Sequence, residues 1–215
     1  MEIRGKAKRN MGSGIYLIVD PAMDESILMN KLNLCLSEKL AAVQIWDNFK
    51  VNQNIIELIN RICEQCHAKN IPVLINNRWE LLNNSLLDGV HFDDIPKDYT
   101  SIVRSVIHPF ISGLTCNNDL THVEWASKNK LDYISFCSIF QSQTANSCEI
   151  VNFRTIHHTS KNYGLPIYLA GGIKPENLHR LDELKYTGIA VVSGIMSSDA
   201  PNESIKKYAH KLNNL

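Results

Sequence analysis

Net charge is the first thing this 215-residue sequence lacks, because 22 lysines and arginines are matched by 22 aspartates and glutamates. With no excess positive field there is nothing to hold a polyanion, so nucleic acid is excluded as a partner. Long apolar runs are missing too. The longest, such as Ile189-Ala190-Val191-Val192, fall far short of the ~20 residues needed to cross a bilayer, which excludes a transmembrane helix and a membrane partner. Arg4, Lys6, Lys8 and Arg9 lie near the start, but no apolar stretch of a secretion signal follows them, so a cytoplasmic location is expected. The 6 cysteines have irregular spacing and read as reduced thiols rather than a disulfide framework. Internal repeats and low-complexity linkers are absent as well.

What is present is an ordinary globular mixture, 44% hydrophobic and 20% charged, of a length that suits one domain. Short β-branched runs alternate with longer amphipathic stretches from end to end. Strands are expected at Ile15–Asp20, Ala42–Trp46, Val73–Asn76, Gly89–Phe92, Phe110–Thr115, Tyr133–Phe136, Pro166–Ala170 and Gly188–Val192. Helical patterns fall at Asp24–Lys39, Asn52–Lys69, Trp79–Leu87, Asp98–Val106, Asp119–Lys130, Asn152–Tyr163, Pro175–Leu184 and Asn202–Leu212. Parallel strands joined by right-handed helical crossovers, apolar on both faces, point to a TIM (β/α)8 barrel. The expected organisation is a basic N-terminal tail over residues 1–14 and a single barrel domain over 15–215. Cys63-Glu64-Gln65-Cys66-His67 spells a haem-attachment string, but it lies inside a helical pattern and reads as two thiols on a structural helix.

Chemistry in such a barrel belongs at the C-terminal ends of its strands. Strand seven ends in Ala170-Gly171-Gly172-Ile173 and strand eight in Val192-Ser193-Gly194-Ile195. Glycine lets a backbone N–H approach an anion unobstructed, and loops after these two strands are where this fold binds phosphate. The loop after strand six, Ile139 to Asn146, adds hydroxyls and amides but no cation.

Taken together, the strand ends resemble the thiamine phosphate synthase and TenI family. The matching pieces include Ile15-Tyr16-Leu17-Ile18-Val19-Asp20, Val43-Gln44-Ile45, Leu74-Ile75-Asn76-Asn77-Arg78, Asp88-Gly89-Val90-His91, Gly113-Leu114-Thr115, Gly171-Gly172-Ile173 and Gly188 through Ile195, in family order over nearly the whole chain. The resemblance implies an enzyme that joins hydroxymethylpyrimidine diphosphate to thiazole phosphate, giving thiamine phosphate and diphosphate. It implies that Gln44 and Asn76 contact pyrimidine or diphosphate, and that Ser142 and Thr144 form a hydroxyl pair. Gly171, Gly172, Ser193 and Gly194 would cradle the thiazole phosphate. Asn77 and Thr115 fall at further substrate positions, His91 and Ser142 at catalytic ones. Mg2+ is the implied cofactor, with Asp93 and Asp94 as its candidate ligands.

Several positions depart from the family pattern. The two cations expected after the strand-two glutamine are replaced within Trp46-Asp47-Asn48, the strand-three carboxylate is Asn77, and the lysine after the strand-six threonine is Ala145. Lys50, Arg78 and Lys174 are the nearby cations able to compensate. Two alternatives therefore stand beside a synthase with a degenerate diphosphate site: a TenI-type thiazole tautomerase, whose histidine base is replaced by Asn117 and whose proton would pass to His91 or Cys116, and a non-catalytic protein binding thiazole phosphate or thiamine phosphate. A homo-oligomer is left open, with Trp125 and Tyr208 as candidate interface aromatics against a buried or scattered surface role.

Overall fold

A computed structural model describes residues 7–141 and 149–212. Eight parallel strands close into a barrel in sequence order. They are β1 (Gly14–Val19), β2 (Leu40–Ile45), β3 (Val73–Asn76), β4 (Gly89–Phe92), β5 (Ile111–Cys116), β6 (Tyr133–Cys137), β7 (Ile167–Ala170) and β8 (Gly188–Val191). Closure comes from β1 and β8, paired from Gly14↔Gly188 to Leu17↔Val191. Outside lie α1 (Glu25–Cys35), α2 (Ile55–His67), α3 (Tyr99–Ser105), α4 (Thr121–Lys128), α5 (Phe153–Asn162), α6 (Ser193–Met196) and α7 (Pro201–Leu212). Among the described residues no helix is long and apolar enough to cross a membrane.

The two-residue period of a strand sorts its side chains into two cores. Ile15, Leu17 and Val19 of β1 face outward into the main apolar layer, with Val43, Ile45, Val73, Ile75 and the buried faces of the helices. Tyr16, Ala42, Leu74, Ile111, Tyr133, Tyr168 and Ala190 face inward and fill the barrel. Three tyrosines fit there because small residues oppose them. A Cβ on Gly113 would strike the Tyr133 ring, and β5 can pass that ring only as glycine. Helix starts are capped by side chains: Asp24, Asp98 and Asn152 accept from the N–H groups of Ile27, Ser101 and Arg154.

Two of the eight expected helices are only 3-10 turns, Trp79–Asn84 and Leu178–Leu181. In the second, the side chain of Asn177 accepts from Lys174 N–H at 2.8 Å and donates to Gly172 C=O at 2.9 Å, so the polypeptide from Lys174 to Asn177 is spent on the β7 loop before any helix starts. In the first, the Ser85 hydroxyl donates to Leu81 C=O at 2.7 Å and the chain turns away toward β4. The short α6 immediately after β8 is an element the periodicity did not indicate, since its four residues span barely one turn.

Residues 8–12 lie across the N-terminal end of the barrel. Lys8 pairs with Asp132 at 2.5 Å, Arg9 with Asp88 at 3.2 Å, and Gly12 N–H donates to Ala41 C=O at 3.1 Å. Met11 packs against the inner core. Cys63 and Cys66 are fully buried on α2, and burial pushes the Cys66 thiol up to about 12, which suits packing rather than cofactor attachment.

Candidate active site

At the C-terminal end of the strands the inward-facing positions change from apolar to polar. Gln44, Asn76, His91 and Ser135 are all buried there, and Thr115 is half-buried. Four close contacts join five of the inner side chains. The Tyr16 hydroxyl donates to Gln44 Oε1 at 2.6 Å and lies 2.8 Å from the Tyr133 hydroxyl. His91 Nδ1 lies 2.8 Å from the Tyr133 hydroxyl, and its Nε2 lies 2.9 Å from Thr115 Oγ1. Loss of water around the ring pushes the imidazole down to about 4 despite the nearby Asp93, so His91 is neutral at physiological pH. Burial raises both tyrosines far above their ordinary range, and neither ionises.

Beside this interior set, the β3 and β4 ends bind each other. Asn76 Nδ2 donates to Asp93 Oδ1 at 2.9 Å and Asn77 Nδ2 to Asp93 Oδ2 at 2.8 Å, while Asp93 N–H returns a bond to Asn77 Oδ1 at 3.0 Å. Asn77 adopts φ 57°, a left-handed conformation that asparagine tolerates better than most residues. Asp94 turns outward, its carboxylate 2.9 Å from His122 Nε2 and its side chain 85% exposed. Each Asp93 oxygen retains a free lone pair after its amide bond, so this carboxylate suits a hard cation that completes its shell with phosphate oxygens and water. No group of three or more His, Cys, Asp or Glu side chains could hold a metal by itself among the described residues.

The β2 loop is electrostatically different. Asp47 and Glu80 flank Arg78, at 3.4 Å and 2.5 Å, and these carboxylates raise the guanidinium above its ordinary range. Asp20 accepts two bonds from Asn48 at 3.0 and 3.1 Å. Asn117 accepts from Asp119 N–H at 2.8 Å and serves the turn into α4. Cys116 belongs to the outer core, its thiol pushed up to about 12 by burial, and so has no route to the barrel mouth.

Across the mouth, β7 and β8 run side by side with Ala170 opposite Ala190, so Gly171-Gly172 and Ser193-Gly194 emerge as neighbours. Gly171 and Gly172 have φ values of 89° and 65°, and a Cβ on Gly172 would collide with backbone oxygens of Phe140 and Gln141. Ser193 and Gly194 are exposed and open α6, whose first N–H groups lack intrahelical acceptors. Two outer residues hold this corner. Lys31 of α1 donates to Met196 C=O at 2.9 Å and Ser198 C=O at 2.8 Å, closing the C-terminal end of α6. Tyr208 of α7 donates to Ile173 C=O at 3.0 Å, and a Cβ on Gly194 would strike its hydroxyl. Tyr208 is therefore buried inside the chain and is not an interface anchor; Trp125 is half-buried and packs edge-on against Tyr99.

The barrel gathers Gln44, Asn76, Asn77, His91, Asp93, Thr115, Gly171, Gly172, Ser193 and Gly194 at its C-terminal end. Ser142 and Thr144 lie outside the described residues. Tyr16, Tyr133 and Lys31 were missed as functional candidates, and Tyr208 was considered only as an interface aromatic. The signal for the first two was a phenol at an inward position of an otherwise apolar strand; Lys31 and Tyr208 gave none.

The closed eight-stranded order and the glycine corner where β7 and β8 end define a (β/α)8 barrel. A family model described as thiamine monophosphate synthase matches residues 15–195, and the chain belongs to that family. It is 27% identical over 202 residues to the thiamine-phosphate synthase of Picrophilus torridus, covering 93% of this chain and 97% of that protein. It is 29% identical over 204 residues to thiamine-phosphate synthase 1 of Aquifex aeolicus, covering 92% and 93%. The solved thiamine phosphate pyrophosphorylase of Pyrococcus furiosus superposes with a TM-score of 0.78 at 16% identity, covering 94% of this chain and 96% of that one.

Proposed function

We propose that the protein is a thiamine-phosphate synthase, joining hydroxymethylpyrimidine diphosphate to thiazole phosphate with release of diphosphate. The observation that carries this reading is the convergence, at one end of the barrel, of a glycine corner on β7 and β8 with a buried polar set on β2 to β5. Backbone N–H groups of Gly171, Gly172, Ser193 and Gly194 would hold the thiazole phosphate. Gln44, Asn76, Asn77 and Thr115 would orient the pyrimidine diphosphate, with Ser142 and Thr144 hydrogen-bonding its leaving group.

In the reaction the bond between the pyrimidine methylene and the diphosphate oxygen breaks, its electron pair leaving with the diphosphate. The thiazole nitrogen lone pair then forms the new carbon–nitrogen bond. The main demand is stabilising charge on the leaving group, not removing a proton. His91, neutral and fully hydrogen-bonded, holds the pyrimidine side of the pocket in shape. Asp93 suits a Mg2+ shared with the diphosphate, which when bound would neutralise part of its charge. Asp94, turned to His122, is the weaker ligand candidate.

Purified protein given both substrates and Mg2+ is expected to yield thiamine phosphate by mass spectrometry; no product above the uncatalysed background ends this reading. A second reading, binding without turnover, draws on the β2 side of the mouth, where Arg78 is already paired with Asp47 and Glu80. It predicts calorimetric binding of thiazole phosphate with no product.

A further inference from the structure

We infer that Gln44, Tyr16, Tyr133, His91 and Thr115 form a hydrogen-bond chain of single polarity that locks His91 in the Nδ1–H tautomer. A phenol has one O–H to give. Tyr16 gives its hydrogen to Gln44 Oε1, so the hydrogen between the two phenols, 2.8 Å apart, must be that of Tyr133. Tyr133 then has none left for His91, and the 2.8 Å contact between them requires a hydrogen on Nδ1. In the neutral ring Nε2 is consequently the acceptor, and the Thr115 hydroxyl, 2.9 Å away, turns its hydrogen inward to meet it. No link can be reversed alone without bringing two oxygen lone pairs face to face at 2.8 Å, or two hydrogens into one contact.

The polarity sets what the mouth offers. Thr115 is the half-buried end of the chain, and with its hydrogen committed inward it presents lone pairs only. Gln44 uses its oxygen inward, leaving its amide N–H groups as the donor at the other end. The pocket is thereby coded to accept a hydrogen bond at β5 and to give one at β2, which suits a heterocycle that carries both a donor and an acceptor. This ligand assignment rests on the proposed function, whereas the tautomer does not. Tyr16 and Tyr133 act through their neighbours and are positioning residues.

The test is nitrogen NMR of the ring of His91 in the full, ligand-free chain at neutral pH. Expected is a protonated Nδ1 and an unprotonated Nε2; protonation at Nε2 alone overturns the proposal. Tyr133→Phe should shift the tautomer toward Nε2–H and raise KM for the pyrimidine diphosphate by about fivefold, the worth of roughly one hydrogen bond, with kcat little changed. An unchanged tautomer in that variant contradicts the role given to Tyr133. Should Tyr133→Phe not fold, Thr115→Val serves instead: Nδ1–H must persist there, because the tyrosine side sets it, and its loss overturns the chain. An Nδ1–H ring in a protein that makes no thiamine phosphate would refute the synthase reading and leave this one standing.

Discussion

The two sides of the barrel mouth are built on different principles. At β7 and β8 the proposed anion site would be backbone: positive-φ glycines, the start of α6, and outer clamps from Lys31 and Tyr208. At β2 and β3 a proposed diphosphate site would depend on side-chain charge, and there Asp47 and Glu80 already pair with Arg78. A backbone site tolerates wide sequence change provided its few conformational requirements are met. A charge site changes with single substitutions. Phosphate binding should therefore be robust at the first corner and weak at the second.

The variant that should break this contrast most is Gly172→Ala. A Cβ at φ 65°, driven into the Phe140 and Gln141 backbone, forces the loop to move. Strain of about 1–3 kcal/mol converts to roughly 5- to 150-fold weaker thiazole phosphate binding by calorimetry. An effect below twofold would mean the glycine corner does not hold the ligand.

The interior set that ties the two sides together has its own signature in pH. The pKa of His91 is depressed on folding from its ordinary 6.5 to about 4, so the unfolded chain takes up a proton first as pH falls. Its contribution to stability is complete above about 6.5 and is lost progressively as pH drops toward about 4, at most about 3 kcal/mol. Chemical denaturation of the parent and of His91→Gln across that window should show a steeper fall for the parent. Parallel curves would mean that His91 is not neutral and enclosed.

Much of this architecture was legible in the chain itself. Eight strands could be placed because each is a short β-branched run bounded by polar or glycine residues, and the closed order followed from alternation with helices. The glycine corner was legible because few residues other than glycine allow that backbone. Less could be read where long-range partners decide. Helix periodicity overran at Leu178–Leu181 because Asn177 folds back on the β7 loop, a contact without a periodic signal. The tyrosine chain was missed because attention to strand ends passes over Tyr16 and Tyr133, one layer deeper. Lys31 reaches α6 across 165 positions of sequence, and no local pattern announces such a bond.

Smaller effects sharpen the comparison. Tyr208→Phe removes a hydrogen bond from a buried carbonyl and should cost about 1–2 kcal/mol in stability by urea denaturation, with a several-fold rise in KM for thiazole phosphate. If KM for the pyrimidine diphosphate rises equally, the clamp is not specific to the β7–β8 corner. Least of all, Asp47→Asn should release part of Arg78 and tighten diphosphate binding by about twofold at low salt, an advantage that disappears as ionic strength rises.

The most direct test of the division between the two corners is a crystal structure of the protein soaked with thiazole phosphate. The phosphate is expected within hydrogen-bonding distance of the backbone N–H groups of Gly172 and Gly194. A phosphate seated on Arg78 at the β2–β3 side, with the glycine corner empty, would contradict the account.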